Sequence, residues 1–350
     1  MKTNRIIALV LAGVMAAGTL TGCGINKDAT LATMGDTKVS MGILNFVFHY
    51  NQVYMDDNYL SYFGEGYWDS DLYSSGSTMI ESTKENLLDT LHELYTLAED
   101  DHMKEMGVEL TADDTAAITE AATAFMNANS QEAIEEMGAT QEIVEEMLTL
   151  YTIRVKMEAA MEATADTEVS DEEANCRAYT ILQMATDSHY DTETASTVDY
   201  TETEVAAIEG NFAYISTQAS ADPSSFEAAA ETFGYSTSSS TYAQDNTTLD
   251  DVVREALDAL SEGQMSEVIE TDTDIYLVRL DGETDADATE THRQEIISNR
   301  QSEAYETMLS DWQEDDGWTV SSRVLATLKF DNYLTSQTEA EEEVSESTEQ

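Results

Sequence analysis

The chain has 350 residues, of which 71 are acidic and 15 are basic, which gives a formal net charge of −56 at pH 7. A surface of this charge repels phosphate groups, so nucleic-acid binding and charge-driven binding to anionic lipid headgroups are excluded. Apolar residues form 41% of the chain, which is enough for a folded core, and the length suits two modest domains or one elongated domain.

The first 22 residues have the composition of an export signal. Lys2 and Arg5 give a positive start, and residues 6–20 are almost all apolar or small. This stretch is shorter than the about 20 apolar residues that a membrane span needs. Its end, Leu-Thr-Gly-Cys at 20–23, resembles the lipobox of bacterial lipoproteins, which implies that Cys23 is lipidated and begins the mature chain. An uncleaved anchor and an ordinary secretory signal are the alternatives.

The region from 23 to 170 is predicted to be mostly helical, because apolar residues recur through it at helical spacing. Ser40 and Thr111 precede two of these stretches as helix caps, and Asp114 completes a capping-box pattern with Thr111. The first helix is apolar on most faces, so we expect it to be buried. The patterns predict a short strand at 32–34, a loop at 63–77, and helices at 41–62, 78–106, 112–128, 131–137 and 140–164.

After residue 170 the pattern changes to short strands and short helices. Runs of apolar and β-branched residues predict strands, whereas clusters of Gly, Ser and Thr predict loops. Residues 334–350 are acidic and polar with almost nothing to bury, so they are expected to be disordered. The other expected elements are strands at 178–184, 265–270 and 274–280, helices at 202–217, 223–233, 249–260 and 290–312, a loop at 236–248, and a strand-like or irregular stretch at 318–330.

Five segments in the second half of the chain together resemble a parvulin-type (PpiC) peptidyl-prolyl isomerase domain. With the lipobox and the N-terminal helices, the whole chain has the element order of PrsA/SurA-type foldases. The resemblance implies an α+β fold in which a helical chaperone-like domain carries a parvulin-like insert of a small antiparallel sheet and short helices. The five segments are 177–182, 225–233, 253–260, 263–267 and 274–280.

The resemblance also gives the expected domain boundaries. A signal peptide at 1–22 precedes a helical N-terminal region at 23–170 and a parvulin-like domain at 171–284. A helix and a strand at 285–333 return to the helical domain, and the acidic tail follows at 334–350.

The positions at which parvulins have their active-site residues are substituted in this chain. By resemblance, the two histidines of the family correspond to Thr180 and Tyr276. The Asp or Cys position corresponds to Ser236, and the Met and Phe that grip the proline ring correspond to Leu249 and Val253. Thr180 and Tyr276 are expected to form a hydrogen bond across adjacent strands.

These substitutions bear on the isomerase reaction, which lowers a rotation barrier of about 18–20 kcal/mol. Unlike His, the hydroxyls of Thr and Tyr do not titrate near neutral pH. The sequence therefore predicts a shallow peptide-binding cleft whose isomerase activity is weak or lost. The alternative is that the substituted positions are ordinary core residues.

No cofactor or metal site is expected. His92 and His102 are predicted on one helix, about 15 Å apart along its axis, so they cannot share a metal ion. If Cys23 is lipidated, Cys176 has no partner for a disulfide. A role as a small buried filler is favoured for Cys176 over a reactive thiol.

Together these features predict a lipid-anchored foldase on the outer face of the bacterial cytoplasmic membrane. Its partners would be unfolded or partly folded exported polypeptides, and the sequence leaves its oligomeric state open. Tyr67 and Trp68 are candidates for exposed contacts with such polypeptides, and burial in the helical core is the alternative. A solute-binding lipoprotein and a surface scaffold lipoprotein without chaperone activity are the rival functions.

Overall fold

The structure is a computed structural model that describes most of the chain between residues 25 and 336. The proposed lipidation site, Cys23, and residues 337–350 lie outside the described residues. Within the described part, none of the helices has both the length and the apolar content needed to cross a membrane. The described residues are 25–193, 195–245, 248–330 and 332–336, together with the backbone of residues 14–17.

Helices and small antiparallel sheets both occur, which confirms the predicted α+β class. The helices are α1 Met41–Phe63, α2 Met79–Leu97, α3 Asp100–Glu105, α4 Ala112–Ala128, α5 Gln131–Met137, α6 Gln141–Glu162, α7 Asp171–Ala174, α8 Glu202–Ala221, α9 Phe226–Glu231, α10 Asp251–Asp258, α11 Ala286–Gln313 and α12 Ser322–Leu325. The strands are β1 Val14–Ala17, β2 Thr30–Met34, β3 Thr37–Ser40, β4 Cys176–Ala185, β5 Ser188–Asp191, β6 Ser196–Asp199, β7 Ser238–Ala243, β8 Ile269–Glu270, β9 Asp274–Gly282, β10 Thr319–Val320 and β11 Tyr333–Ser336.

The chain divides into two compact units. The first unit consists of residues 1–165 and 301–350, and the second consists of residues 166–300. Helix α11 therefore contributes its residues up to 300 to the second unit and the remainder to the first. The first unit is built from both ends of the chain, and the second is an insertion between them.

The first unit is organised around helix α1. The hydroxyl of Ser40 accepts a hydrogen bond from the backbone N–H of Ile43 at 3.3 Å and caps this helix, as the sequence predicts. Most residues of its first three turns are buried, including Phe46 and Phe48, as expected for a helix that is apolar on most faces. Two antiparallel sheets complete the unit, one with strand order β10-β2-β3 and one that pairs β1 with β11.

The single helix predicted at 78–106 is wrong in its length, because two helices occupy this stretch. Helix α2 ends before Glu99, whose backbone is extended, and α3 follows it. Three consecutive acids occupy 99–101, and acids are unfavourable at the C-terminus of one helix but favourable in the first turn of the next. The Nδ1 atom of His102 lies 2.9 Å from the carbonyl oxygen of Thr96 at the end of α2. The two histidines predicted on one helix therefore lie on different helices.

The second unit contains a four-stranded antiparallel sheet with strand order β7-β4-β9-β8. Its central strands are the first and last strands of the parvulin-like segments, and they pair from Tyr179↔Leu280 to Ala185↔Asp274. The prediction that these two segments form adjacent strands is confirmed. A separate hairpin of β5 and β6, which was not predicted, precedes α8.

Two segments predicted without regular structure contain strands. Strand β7 lies inside the loop predicted at 236–248 and pairs with β4 from Ser238↔Ile181 to Ala243↔Cys176. Its Ser and Thr residues resemble a loop, but an edge strand tolerates polar side chains and the pairing satisfies its backbone. Residues 334–336 of the tail expected to be disordered belong to β11, because Leu334 is fully buried in the first unit.

Candidate functional site

The four-stranded sheet of the second unit has an apolar cluster on each face, because successive residues of a strand point to opposite sides. We call the face that packs against α8 and α9 the α8 face and the face that packs against α10 the α10 face. The α8 face contains Leu182, Ile275, Leu277, Phe212 and Phe226. The α10 face contains Tyr179, Tyr242, Tyr276, Val253, Leu257, Val278 and Leu280.

Thr180 and Tyr276 lie on opposite faces of this sheet. The register pairs Thr180 with Arg279 and Tyr276 with Gln183, so the two residues are not opposite each other. Tyr276 belongs to the α10 face, whereas Thr180 points to the other side with its pairing partner. The predicted hydrogen bond between Thr180 and Tyr276 is therefore wrong, because a difference of one residue in a strand moves a side chain to the other face.

Three tyrosine rings fill the α10 face. Tyr276 and Tyr242 are each 2% exposed, and the ring of Tyr179 packs edge-on against Tyr242 with 5.7 Å between the ring centroids. The hydroxyl of Tyr276 donates to Asp250, the residue before α10, and the hydroxyl of Tyr242 donates to Asp258 Oδ1 at 3.0 Å. Each end of α10 thus supplies a carboxylate that accepts from a buried tyrosine.

The same contacts keep two of these tyrosines protonated. Burial and then the hydrogen bond to Asp250 raise the pKa of Tyr276 above its ordinary value. Burial and then the bond to Asp258 raise the pKa of Tyr242 to about 12. Near neutral pH both hydroxyls are therefore protonated and donate hydrogen bonds to the two carboxylates.

The structure brings together three of the five predicted site positions. Leu249 and Val253 pack in the same cluster as Tyr276, with Val253 fully buried. Ser236 is exposed in the segment before β7, and Thr180 lies on the α8 face. Of the two positions predicted to grip a proline ring, Val253 is a core residue and Leu249 is half-buried against the same cluster, which supports the alternative that they are ordinary core residues.

Thr180 belongs to a network around the guanidinium group of Arg279. This group donates to both carboxylate oxygens of Glu227 at 2.7 and 3.0 Å and to Asp281 Oδ1 at 2.5 Å. The hydroxyl of Thr180 donates to Asp281 Oδ2 at 2.6 Å and lies 2.9 Å from the hydroxyl oxygen of Ser239. These bonds raise the pKa of Arg279, and they lower the pKa of Glu227. The network joins β9 to α9.

A cleft of about 600 Å³ opens at the C-terminal end of α10. The guanidinium group of Arg177 donates to the carbonyl oxygens of Leu257 and Leu260 at 3.0 and 2.9 Å, where a cation interacts favourably with the end of the helix. It also donates to the hydroxyl of Tyr242 at 3.0 Å and to Glu283 Oε2 at 2.7 Å. The cleft is polar and has three acidic residues in its lining, which consists of Asp171, Glu172, Asn175, Arg177, Tyr242, Gln244, Asp258 and Thr284.

Cys176 lies beside a second cleft of about 450 Å³, which His292 also lines. The thiol is buried, and burial together with the nearby acids Asp245, Glu295 and Asp285 raises its pKa. A thiol in such surroundings stays protonated and inert, which supports the filler role. Across the described residues, no group of three or more His, Cys, Asp and Glu side chains is placed to hold a metal ion.

Tyr67 and Trp68 are buried in the first unit, each with 1% exposure, so their assignment as exposed client contacts is wrong. Both side chains donate to the same buried carboxylate oxygen, Asp56 Oδ1, the Tyr67 hydroxyl at 2.7 Å and the Trp68 indole nitrogen at 3.0 Å. The Trp68 ring also packs against Phe48 and Phe330. A loop that looks exposed in the sequence is held inside because its aromatic residues find this acceptor.

The comparison with protein families assigns the second unit. Residues 184–291 match the family model described as the PPIC-type PPIase domain, which confirms the parvulin resemblance for this part of the chain. The match begins after Thr180 and includes Leu249, Val253 and Tyr276. No protein with a curated description matches the chain.

The solved structures that resemble the chain include several PrsA foldases. The foldase PrsA of Lactococcus lactis has 17% identity and a TM-score of 0.34, with 86% of this chain and 97% of that chain covered. PrsA of Streptococcus pneumoniae has 14% identity and a TM-score of 0.29, with 85% and 97% covered. PrsA of Bacillus cereus has 16% identity and a TM-score of 0.31, with 86% and 96% covered.

Sequence reasoning missed four residues that define the second unit. Tyr179 and Tyr242 belong to the α10 face. Arg177 binds the carbonyl groups at the end of α10, and Arg279 binds Glu227 on the α8 face. The signal for Tyr179 was present, because a strand with Thr180 on one face places its neighbour on the other. The partners of the two arginines come from distant parts of the chain, so no local pattern indicates them.

Proposed function

We propose that this chain is an extracytoplasmic foldase that assists exported proteins by binding them, with prolyl isomerase activity weak or lost. The PPIC-type domain at 184–291 supports the class. The observation that carries the loss of activity is the filling of the α10 face by Tyr179, Tyr242 and Tyr276.

A prolyl isomerase must hold the twisted amide more tightly than the planar one, in a dry pocket with fixed polar groups. On the α10 face the hydroxyls of Tyr242 and Tyr276 already donate to Asp258 and Asp250. The three tyrosine rings pack in one cluster with Val253, the position that corresponds by resemblance to a residue gripping the proline ring. Binding a proline there would require these buried side chains to leave their partners, which opposes catalysis at this face.

A lipid on Cys23 would attach the protein to the membrane. Several acyl chains contribute about 0.8 kcal/mol for each buried CH₂ group, which is enough for stable anchoring. With a net charge of −56, the protein surface itself is repelled by anionic headgroups. The proposed location is therefore the outer face of the cytoplasmic membrane, with the folded units held in the aqueous space beside it.

The test measures two activities of the same purified protein. Light scattering follows the aggregation of a chemically denatured exported protein, and a proline peptide assay follows isomerisation. We expect suppression of aggregation at near-stoichiometric amounts, and a kcat/KM at least about 100-fold below that of an active parvulin, equivalent to about 2.7 kcal/mol of lost transition-state stabilisation. An unrelated acidic protein of similar net charge is the control. Absence of suppression would favour a scaffold, and turnover like that of an active parvulin would contradict the loss of activity.

A further inference from the structure

The strand β11 in the first unit has two edges. Side chains of α1 bind one edge, and strand β1 pairs with the other. On one edge, the backbone N–H of Leu334 donates to Asp56 Oδ2 at 2.8 Å, and that of Ser336 donates to Asp57 Oδ1 at 3.1 Å. On the same side, the carbonyl oxygen of Asn332 accepts from the side-chain amide of Gln52 at 2.7 Å. Side chains of α1 thus bind one backbone group of each of the three even-numbered residues on this edge.

The other edge carries the backbone groups of Tyr333 and Thr335, because the N–H and C=O groups of neighbouring residues in a strand point in opposite directions. In the structure β1 lies on this edge, antiparallel to β11, in the register Val14↔Ser336 to Ala17↔Tyr333. Alternation makes Met15↔Thr335 and Ala17↔Tyr333 the hydrogen-bonded pairs. Helix α5 lies beside β1, so the segment 14–17 runs between a helix and a strand.

The segment on this edge belongs to the proposed export signal. Its sequence is Val-Met-Ala-Ala, which is uncharged and apolar, and it is extended. If the signal is removed before Cys23, β11 keeps the clamp from Asp56 and Asp57 but loses the strand on its other side. A fixed strand with an unpaired edge is a template for an extended peptide, which adds to it through backbone hydrogen bonds.

We propose that the β11 edge of the mature protein is a docking site for an extended, uncharged, apolar segment of another polypeptide. The chain's own segment 14–17 shows the backbone geometry that the edge accepts, and its sequence, Val-Met-Ala-Ala, is the model for the proposed occupant. Backbone pairing gives affinity with little dependence on sequence, as a foldase needs for varied clients. This inference rests on the proposed function, in that it assumes removal of residues 1–22 and names the client site.

The test compares two forms of the full chain in the same detergent. One is the processed lipoprotein purified from membranes, and the other is the variant Cys23→Ser, which keeps residues 1–22 because the lipobox cysteine is absent. The probe is a fluorescent peptide with the sequence of residues 12–19 flanked by lysines, and binding is followed by fluorescence anisotropy. We expect the processed form to bind the peptide at least tenfold more tightly than Cys23→Ser. Equal binding, or no binding to the processed form, would overturn the proposal.

Two N-methylated peptides test the backbone register without changing the protein. Methylation at the positions of Met15 and Ala17 removes the N–H groups that face β11, and methylation at Val14 and Ala16 removes those that face away. We expect a loss of about tenfold or more for the first peptide and little change for the second, since two hydrogen bonds are lost in the first alone. The same affinity for both peptides would show that no strand is added to β11.

A pair of protein variants gives an independent check. Thr335→Pro removes the outward N–H and should weaken peptide binding at least threefold, whereas Thr335→Ala keeps that N–H and should bind like the wild type. Retained binding in Thr335→Pro contradicts the site. If Thr335→Pro fails to fold, the two methylated peptides decide alone. Dimers of the processed form that exclude the peptide would assign the edge to a second copy and overturn the proposal.

The two proposals fail in different ways. If the processed form suppresses aggregation but does not bind the peptide, the β11 docking site is refuted and the foldase function stands. If the processed form binds the peptide but does not suppress aggregation, the foldase function is refuted and the β11 docking site stands.

Discussion

Replacing Asp56 by Ala should destabilise the first unit more than replacing Asp57 or Asp114 in the same unit. Asp56 is 1% exposed and accepts hydrogen bonds from Tyr67, Trp68, Leu334 and Gln52. Gln52 keeps its bond to the Asn332 carbonyl oxygen. The variant therefore leaves three buried donors without this acceptor.

The magnitude follows from these three donors. A buried donor that loses its partner costs about 1–3 kcal/mol, so the gross loss is roughly 3–9 kcal/mol. Burial raises the pKa of Asp56, which means that the fold destabilises its charged form. Removing the charge therefore offsets part of the stability that is lost with the three hydrogen bonds. We expect a net decrease of about 3–5 kcal/mol in the free energy of unfolding. This is a large fraction of the about 5–15 kcal/mol that a domain has.

The assay is urea unfolding followed by tryptophan fluorescence at pH 7. Trp68, Trp312 and Trp318 are the three tryptophans of the chain, and all belong to the first unit, so the signal reports that unit alone. Asp57→Ala is the matched control, because Asp57 also accepts from β11 but at an exposed position, and it should cost about 1 kcal/mol or less. The reasoning is refuted if the two variants differ by less than about 1 kcal/mol.

Lys156 and the capping box lower the pKa of Asp114 from 3.8 to about 2, so the stabilisation that Asp114 contributes is present above pH 4 and is lost as the pH falls toward 2. Asp114→Asn should lower the free energy of unfolding by about 1–2 kcal/mol at pH 7, allowing for solvent screening. In acid titrations the difference in stability between this variant and the wild type should vanish near pH 2. Arg279→Gln should lower the free energy of unfolding by about 2–3 kcal/mol and raise the rate of amide hydrogen exchange in β9, because it leaves Glu227 without its bidentate partner. Amide protection equal to that of the wild type would argue against a stabilising role for the Arg279–Glu227 pair. Thr180→His should give no gain in proline-peptide turnover, since this residue lies on the α8 face, and a measurable gain would contradict the assigned face.

The main helical and strand elements could be predicted where local physics decides them. Helix α1 begins after its cap at Ser40, and the box of Thr111 and Asp114 forms as its spacing indicates. Strands β4 and β9 are neighbours, as the order of the parvulin-like segments implies. Caps and strand patterns depend on residues close together in the chain, which is why the sequence was sufficient for them.

The candidate site was predicted less well, because it depends on register and on distant partners. Thr180 and Tyr276 were expected to meet, but which face a strand residue occupies changes with every residue, and an alignment of weak motifs does not settle it. The sequence left undecided whether Tyr67 and Trp68 lie on the surface or in the core. The carboxylate of Asp56 binds both side chains inside the unit, but one buried acid cannot be recognised in a sequence with 71 acidic residues. Strand β7 was missed because its Ser-rich sequence is typical of loops.

The measurement that tests the central claim most directly is the refolding of one exported client in two forms, one with a cis-proline that limits its folding rate and one with that proline replaced. If the protein assists by binding, with the α10 face closed by its tyrosines, it should raise the refolding yield of both forms equally and leave the slow folding rate of the proline form unchanged. Acceleration of the slow phase in the proline form alone, at catalytic amounts of protein, would show a working isomerase and contradict the account.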